Sequence, residues 1–402
     1  MLSTIENTIR NRGSNHGLFV AIVVFCITVL ALTIFGLIMI FSSSYVEAIS
    51  NGNNALSYVV KQFVFIVLGI ACAILIVRFF STSLLQGKVL LIAFILLMLC
   101  FVLVLGIGDS IYGAKRWFYV GPVSMQPSEF MKIVVVVYTS ALICNFRYEN
   151  EEPVKFFIKI GIFVLLPIAW ILILQKYMGT ASIIVVGFLV CLWLSGVDKR
   201  IIIGIIVACL LIGLVVIFSS PHRWSRVLAL LFPEQYAEEG GYQLIRSRYA
   251  MAGGGLFGLG IGNSHEKFQY LPEAETDFIF AILVEETGII GALLVLLGFF
   301  VLLASGLYIA ACANDRFSKS IAASLVIMLV FQALLNIACV VGLFPVTGKP
   351  LPFFTQGGSS VISTYCLCGI VVMVGMEALK NDSYSKLRRQ TKITSNRRRN
   401  AT

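Results

Sequence analysis

Three carboxylates occur within five residues of one segment, Glu273, Glu275 and Asp277. A carboxylate can act as a general base that takes a proton from an attacking hydroxyl, and this is one interpretation of the segment. The segment lies where a long polar loop gives way to apolar sequence, and carboxylates near bilayer depth usually face a cavity or a partner. Alternatively, Thr276 or Asp277 could cap the helix that follows, because acidic groups are favoured at that end. The residues alone leave both interpretations open.

A second polar cluster pairs the cations Lys115 and Arg116 with the aromatic residues Trp117 and Phe118. Such residues can simply anchor a helix at the membrane interface. Cations on the outer face, however, cannot serve the anionic inner leaflet. A phosphate-bearing ligand is therefore the sharper interpretation of this cluster.

Two further segments are polar or irregular beside apolar sequence. Glu129 and Lys132 lie one helical turn apart and can form a structural pair. Residues 345–360 contain several prolines, glycines and serines, and irregular backbone at membrane depth is tolerated where it lines a wet cavity. Gln332 and Asn336 also lie one turn apart, a spacing that more often joins helices than binds ligands.

Other patterns carry less chemistry. Residues 253–258 fit a dinucleotide-binding glycine pattern, but that pattern requires a βαβ unit, so the glycines more simply permit close approach to a ligand or to another helix. The three histidines show no metal-ligand spacing, no P-loop is present, and we expect no nucleotide cofactor. All ten cysteines lie in or beside apolar runs and offer no disulfide framework.

The elements that must position these residues are apolar helices. The chain has 402 residues, of which 59% are hydrophobic and 12% charged, so it is neither a soluble enzyme nor a disordered chain. Continuous apolar runs predict an all-α polytopic membrane protein with about ten transmembrane helices. The predicted spans are 18–41, 58–78, 88–107, 128–146, 156–174, 181–196, 201–219, 288–312, 320–343 and 360–379.

The distribution of basic residues predicts the orientation. The loops on the side that includes both termini carry nineteen Lys and Arg, against ten on the other side. By the positive-inside rule both termini are cytoplasmic. We therefore expect a cytoplasmic N-terminus (1–17), a membrane domain (18–379) with one large extracytoplasmic loop (220–287), and a basic cytoplasmic tail (380–402). The net charge of +10 is then a topology signal, and no nucleic-acid partner is expected.

Five motifs in these segments resemble those of one protein family. They are Gly113-Ala-Lys-Arg-Trp-Phe, Gln126-Pro-Ser-Glu-Phe-x-Lys132, Tyr270-Leu-Pro-Glu-Ala-x-Thr-Asp277-Phe, Glu285-Glu286-x-Gly288 and Leu351-Pro-Phe-x-x-x-Gly-Gly-Ser-Ser360. In order and spacing they resemble the SEDS family (shape, elongation, division and sporulation). The segment from Gly260 to Lys267 is more similar to the division branch, FtsW, and its sporulation relative SpoVE than to the elongation branch, RodA.

The resemblance implies a peptidoglycan glycosyltransferase that polymerises lipid II at the outer face of a bacterial cytoplasmic membrane, for septal wall synthesis in division. It implies a class B penicillin-binding protein as partner, with other divisome or elongasome proteins. It also implies Asp277 as the catalytic residue. The candidate substrate-binding residues are Lys115, Arg116, Trp117, Gln126, Ser128, Glu129, Lys132, Arg246, Arg248, Ser264, Glu273, Thr276, Gly357, Gly358, Ser359 and Ser360.

This chain departs from the family pattern at two places beside the predicted base. Glu275 stands where the family usually has His, and Lys349 stands where it usually has Ile. Glu275 adds negative charge near Asp277, and Lys349 compensates for it if the two are close.

In the mechanism that the resemblance implies, Asp277 deprotonates the acceptor hydroxyl. Lys115, Arg116 and either Arg246 or Arg248 hold the leaving pyrophosphate, and a divalent cation such as Mg²⁺ or Mn²⁺ could share that work. Three alternatives stay open. The chain could be a lipid II flippase, an elongation- or sporulation-specific polymerase, or a scaffold that positions a partner synthase.

Overall fold

The computed structural model describes residues 2–50, 52, 54–111, 114–120, 123–145, 153–237 and 241–399. Gly113, residues 146–152 of one predicted loop and residues 400–402 of the tail lie outside these ranges. The helices are α1 (Leu2–Ser50), α2 (Ser57–Phe79), α3 (Thr82–Leu85), α4 (Lys88–Ile107), α5 (Pro127–Asn145), α6 (Pro153–Ile160), α7 (Leu166–Ile173), α8 (Met178–Leu194), α9 (Lys199–Phe218), α10 (Pro221–Leu231), α11 (Gly241–Gly254), α12 (Ile279–Ala311), α13 (Arg316–Val341) and α14 (Gly358–Arg399).

Most of these helices have the length and composition of membrane spans. Nine helical segments within the described ranges are long and apolar enough to cross a bilayer, and α8, with 17 residues, is a shorter apolar helix. Together they follow the ten predicted spans in order. The expectation of an all-α polytopic protein is confirmed.

The fifth crossing is continuous through its proline. A π-helical turn, Gly161–Leu165, joins α6 to α7, and Pro167 stands in the first turn of α7. Proline cannot donate a backbone hydrogen bond inside a helix, and a wider turn just before it accommodates the missing bond. The fold therefore keeps this crossing instead of ending it at Pro167.

The predicted start of the eighth span is wrong. The apolar pattern places that start at residue 288, whereas α12 begins at Ile279 and contains Glu285 and Glu286 as buried residues. Both carboxylates are buried, and polar groups inside the protein bind them.

The long loop between α9 and α12 is folded. It contains α10 and α11, and α11 packs against α12. The glycine-rich segment after α11 pairs with the backbone of α12 where that helix breaks at Gly288, which has φ +69° and ψ −170°. Leu259 donates to the Glu285 carbonyl at 2.9 Å, and Ile289 donates to the Gly255 carbonyl at 3.0 Å. The glycines thus approach another helix.

A small antiparallel sheet that the sequence does not predict lies between α4 and α5. Its strands are β1 (Asp109–Ile111), β2 (Ala114–Val120) and β3 (Val123–Met125), in the order β1-β2-β3. The aromatic and β-branched residues of β2 favour a strand. The sheet lies at the same end of the bundle as Asp277 and carries Arg116 toward it.

Candidate active site

Asp277 lies in the last turn before α12, at the junction of several elements. The helix begins after Phe278, and no side chain caps it. Thr276 instead donates its hydroxyl to Glu273 at 2.7 Å. The capping interpretation of Thr276 and Asp277 is therefore wrong. Asp277 is half-buried, and its own carbonyl accepts a hydrogen bond of 2.8 Å from the Asn336 amide of α13.

The surroundings of Asp277 make it a suitable base. Burial and the negative charge of Glu273 raise the pKa of the Asp277 carboxyl to about 6, against the opposing charges of Lys349, Arg226 and Arg116. A carboxylate with a pKa near 6 is ionised at neutral pH and can still accept a proton during a reaction. The side chain therefore has both the exposure and the basicity that the predicted role requires.

Three arginines lie close together near this carboxylate. Arg116 from β2 and Arg226 from α10 both act on Asp277, and Arg223 from α10 lies close to Arg116. We call the three the arginine cluster. Burial and the neighbouring charges of Arg226 and Arg223 lower the pKa of Arg116. Burial and the charges of Arg226, Arg116 and Arg223 also lower the pKa of His222, at the start of α10. An array of like charges is costly unless it binds an anion.

The arginine cluster has no acidic partner in an ion pair among the residues that the structure describes. Its members donate to backbone carbonyls instead. Arg116 donates to Gln175 at 2.9 Å and Arg226 donates to Val346 at 2.8 Å. These bonds orient the side chains and leave further guanidinium donors for a ligand.

Tyr177, at the start of α8, connects Arg116 with the loop before α14. The guanidinium carbon of Arg116 lies 4.6 Å from the Tyr177 ring centre, and the Lys349 ammonium nitrogen lies 4.4 Å from the same centre. Cations within about 6 Å of an aromatic ring are stabilised by its quadrupole. The Tyr177 hydroxyl donates to the Gly348 carbonyl at 2.6 Å. Tyr177 is buried, so the two cations are held in place.

Glu129 binds two lysines deep in the bundle. Its two oxygens lie 2.7 Å from the Lys132 nitrogen and 2.6 Å from the Lys349 nitrogen. Lys132 also donates to Gln332 at 2.8 Å. All three charged side chains are buried, so the predicted pair of Glu129 and Lys132 is part of a three-residue structural network. A buried charge requires such pairing, because its desolvation is expensive.

Glu275 faces a different carboxylate. Burial and a hydrogen bond with Glu47 of α1 raise the pKa of the Glu275 carboxyl to about 8. At neutral pH this group is therefore largely protonated and adds little negative charge beside Asp277. Lys349 does lie close enough to lower the pKa of Asp277, but its ammonium pairs with Glu129 and not with Glu275.

Several predicted binding residues take structural positions around this centre. Lys115 donates to the Leu105 carbonyl at 2.9 Å, at the end of α4, where cations are favoured. Trp117 pairs with Asp109 in the sheet. The Gln126 backbone donates to the Ser359 hydroxyl at 3.2 Å.

The first turn of α14 packs against the same junction. Gly357 donates to the Gln62 side chain at 3.3 Å, and Phe65 leaves no room for a side chain at Gly358. Ser128 and Ser360 are buried. The Ser128 hydroxyl has no protein partner within the described ranges.

Arg246 and Arg248 do not join the arginine cluster. Arg246 stacks on the rings of Tyr242 and Tyr270 and lies 3.4 Å from Glu266. Arg248 packs against Gly342 at the end of α13. The geometry does not bring either guanidinium to Asp277, so their predicted contact with pyrophosphate has no support from it.

Ser264 belongs to a second buried network. It donates to Glu285 at 2.5 Å, while Glu286 lies 2.9 Å from Lys267 and also accepts from Ser42 of α1. These contacts give both carboxylates inside α12 polar partners, and Glu286 uses one of its two oxygens for all of them. The network ties the glycine-rich segment to α12 and α1 and lies apart from Asp277.

The sequence does not single out Arg226 and Tyr177, which the structure brings to Asp277, or Arg223, which lies close to Arg116. The two arginines stand three residues apart in a short amphipathic helix, and this spacing places them on one face. That spacing is a usable signal for Arg223 and Arg226. Tyr177 has no comparable signal, because its contacts join segments far apart in the chain. Asn336 has the joining role that its spacing from Gln332 indicates, since it donates to the carbonyls of Asp277 and Lys349.

Comparisons with known proteins give a consistent family. The family model FtsW/RodA/SpoVE, described as "Cell cycle protein", matches residues 22–380. Stage V sporulation protein E of Bacillus subtilis is 37% identical over 356 residues, which are 87% of this chain and 94% of that protein. The probable peptidoglycan glycosyltransferase FtsW of Synechocystis is 35% identical, over 85% of this chain and 86% of that protein.

Solved structures have the same fold. A chain from a structure described as "Structural coordination of polymerization and crosslinking by a peptidoglycan synthase complex" superimposes with a TM-score of 0.70 and 26% identity, covering 88% of this chain and 97% of that one. The Thermus thermophilus rod shape determining protein RodA superimposes with a TM-score of 0.63 and 24% identity, covering 88% and 96%. Its match supports the fold alone.

Proposed function

Because the chain belongs to the FtsW/RodA/SpoVE family of multi-pass membrane proteins, we propose that it is a peptidoglycan glycosyltransferase that polymerises lipid II. Its FtsW relatives bear the name of that activity. The observation that carries the proposal is the placement of Asp277 beside the arginine cluster. Transfer of a sugar from a diphosphate-linked donor requires a base for the acceptor and cations for the diphosphate, and both lie at this junction.

The reaction divides between these two groups. Asp277 takes the proton from the acceptor hydroxyl as its oxygen bonds to the anomeric carbon of the donor. The bond between that carbon and the phosphate oxygen breaks, and its electrons leave with the polyprenyl diphosphate. Arg116 and Arg226 stabilise the charge that develops on this leaving group. The activated donor supplies the energy.

The divalent cation stays a prediction. Among the described residues no group of three His, Cys, Asp or Glu side chains comes together as a metal site. The geometry therefore offers no protein ligand set for it, and no step above depends on one. The positive charge that such a cation would bring to the diphosphate is present in the arginine cluster.

We further propose the orientation, location and partner. The protein lies in the cytoplasmic membrane of a bacterium with both termini in the cytoplasm, which places Asp277 on the outer face. The basic residues of the opposite loops support this orientation. A class B penicillin-binding protein is the proposed partner, supported by the similarity to a chain of a peptidoglycan synthase complex that coordinates polymerization and crosslinking.

The branch of the family is also a proposal. We propose septal synthesis in division, supported by the FtsW relatives, although a sporulation protein reaches 37% identity. A fluorescent fusion of the protein should concentrate at the division septa of vegetative cells if it has the septal role. Expression and localisation confined to sporulating cells would assign the sporulation role instead.

The central experiment uses purified protein in detergent with lipid II as the only substrate. We expect glycan polymer from the wild type and none from Asp277→Asn, which should elute and unfold like the wild type. A detergent micelle has no two leaflets between which lipid II could be moved. Polymer formation in detergent therefore distinguishes a polymerase from a flippase. Substantial polymer from folded Asp277→Asn would remove Asp277 from the mechanism.

A further inference from the structure

The Lys349 ammonium occupies a fixed position in the bundle. The side chain is fully buried, pairs with Glu129 at 2.6 Å and lies over the Tyr177 ring at 4.4 Å. Gly179 of α8 packs so closely against the Lys349 stem that a side chain at position 179 would collide with it. A long, flexible lysine is therefore held in one place by an anion, a ring and a backbone.

The backbone of the same loop lies against Asp277. The α-carbon of Gly348 faces the Asp277 carboxylate, and a side-chain carbon added there would lie 3.3 Å from Oδ2. The Asn336 amide donates to the Lys349 carbonyl at 2.7 Å and to the Asp277 carbonyl at 2.8 Å. One side chain thus joins the two segments, and Asp277 cannot shift relative to Lys349 without losing a buried hydrogen bond.

The charges of the buried network do not cancel. Glu129 is shared by Lys132 and Lys349, so the network contains one more positive charge than negative charge. Of the two lysines, Lys349 is the one close enough to act on Asp277. A buried positive charge is screened little by solvent and acts over several ångströms.

We propose that Lys349 is a positioning residue for the reaction, whose fixed positive charge keeps Asp277 ionised and oriented as the base. The inference rests on the proposed function, because it takes Asp277 as the group that accepts the proton. It explains why the chain retains a lysine at a buried position, where an apolar residue would avoid the desolvation cost.

Other groups also face Asp277, and their effects must be separated from that of Lys349. They are Glu273 in the same loop, Arg226 on α10, Arg116 on β2, Tyr177 at the start of α8 and Cys339 on α13. Substitution of Lys349 leaves all of them in place. Glu129 also keeps its bond to Lys132, so no carboxylate is left without a partner.

The test compares Lys349→Met and Lys349→Gln with the wild type in two pH titrations. The first follows kcat/KM for lipid II polymerisation. The second follows carbodiimide labelling of Asp277 by mass spectrometry, without substrate, because the protonated carboxyl is the reactive form. We expect both midpoints to rise by about one pH unit, as for loss of one nearby opposite charge. Polymerisation should fall about fivefold at pH 6, where the ionised fraction of Asp277 drops from about one half to about one tenth, and recover to near wild-type values at pH 8.

Lys132→Met is the matched control, since it removes the other lysine that pairs with Glu129, whereas Lys349 is the one whose charge acts on Asp277. Its labelling midpoint should stay at the wild-type value. The inference would be overturned if folded Lys349 variants kept the wild-type labelling midpoint of Asp277. It would also be overturned if Lys132→Met shifted that midpoint as much as the Lys349 variants do. The labelling arm does not depend on turnover, so its result is independent of whether the polymerase assignment holds.

Discussion

The Tyr177 hydroxyl donates a hydrogen bond of 2.6 Å to the Gly348 carbonyl, and so ties the start of α8 to the loop that faces Asp277. Tyr177→Phe keeps the ring that contacts Arg116 and Lys349 but leaves this carbonyl unpaired. An unpaired buried acceptor costs about 1–3 kcal/mol. We expect kcat for lipid II polymerisation to fall about tenfold, since 1.36 kcal/mol corresponds to that factor, with KM nearly unchanged.

The control for this variant is Tyr365→Phe. Tyr365 shares a buried hydrogen bond of 2.6 Å with Thr33, at a contact of α14 with α1 that the site does not use. Thermal unfolding should show a similar loss of stability in both variants, while only Tyr177→Phe loses activity. Equal losses of activity would mean that Tyr177 acts through stability alone.

The pH dependence of polymerisation should report Asp277. Its carboxyl has a pKa of about 6, above its ordinary value, and only the ionised form can accept a proton. Activity should therefore be lost as pH falls through about 6 and be nearly constant from pH 7 to 8. A steady-state profile of kcat/KM measures this. Glu275→Gln should show the same acidic limb, because the pKa of Glu275, about 8, lies elsewhere.

The arginine cluster should determine how well the donor diphosphate is held. Arg226→Gln removes a guanidinium that faces Asp277 and pairs with no carboxylate in the described part of the chain. Loss of one such charge-stabilising donor costs about 10²-fold in kcat in comparable sites. The matched control is Arg200→Gln at the opposite end of the bundle, which should polymerise lipid II like the wild type. Inhibition by polyprenyl diphosphate should weaken only in Arg226→Gln.

The break in α12 should tolerate no side chain. Gly288 has a positive φ, and a β-carbon there would collide with the Leu256 carbonyl oxygen. Conformations of this kind are essentially restricted to glycine, and strain adds to the collision. Gly288→Ala should lose at least about 3 kcal/mol of unfolding free energy. A lower unfolding temperature in detergent would show this loss. Gly204→Ala in α9, where nothing lies within 4 Å, should be neutral or slightly stabilising.

The sequence predicts the crossings well because each apolar run is decided locally, by length and composition. It predicts the start of α12 poorly, since Glu285 and Glu286 read as a polar boundary until their partners Ser264 and Lys267 are known. The small sheet is missed because its strands are only three to seven residues long.

The candidate site shows the same division. Asp277 stands out by its own motif, whereas Arg226 and Tyr177 become relevant only through contacts between distant segments. Arg246 and Arg248 look suitable by charge and location, yet their side chains find other partners. Charge and loop membership therefore predict the face of the protein that carries the site, but not which cations reach the carboxylate.

The pairing of the glycine-rich segment with the broken ladder of α12 constrains how the protein is assembled in a membrane. The helix cannot complete its backbone hydrogen bonds at this break on its own: Leu259 and Gly260 donate to the carbonyls of Glu285 and Glu286, and Gly255 accepts from Ile289. Unpaired backbone groups are unstable in lipid. The backbone of α12 around Gly288 is therefore complete only when the glycine-rich segment has docked on it, so the shape of this loop and the integrity of that helix depend on each other.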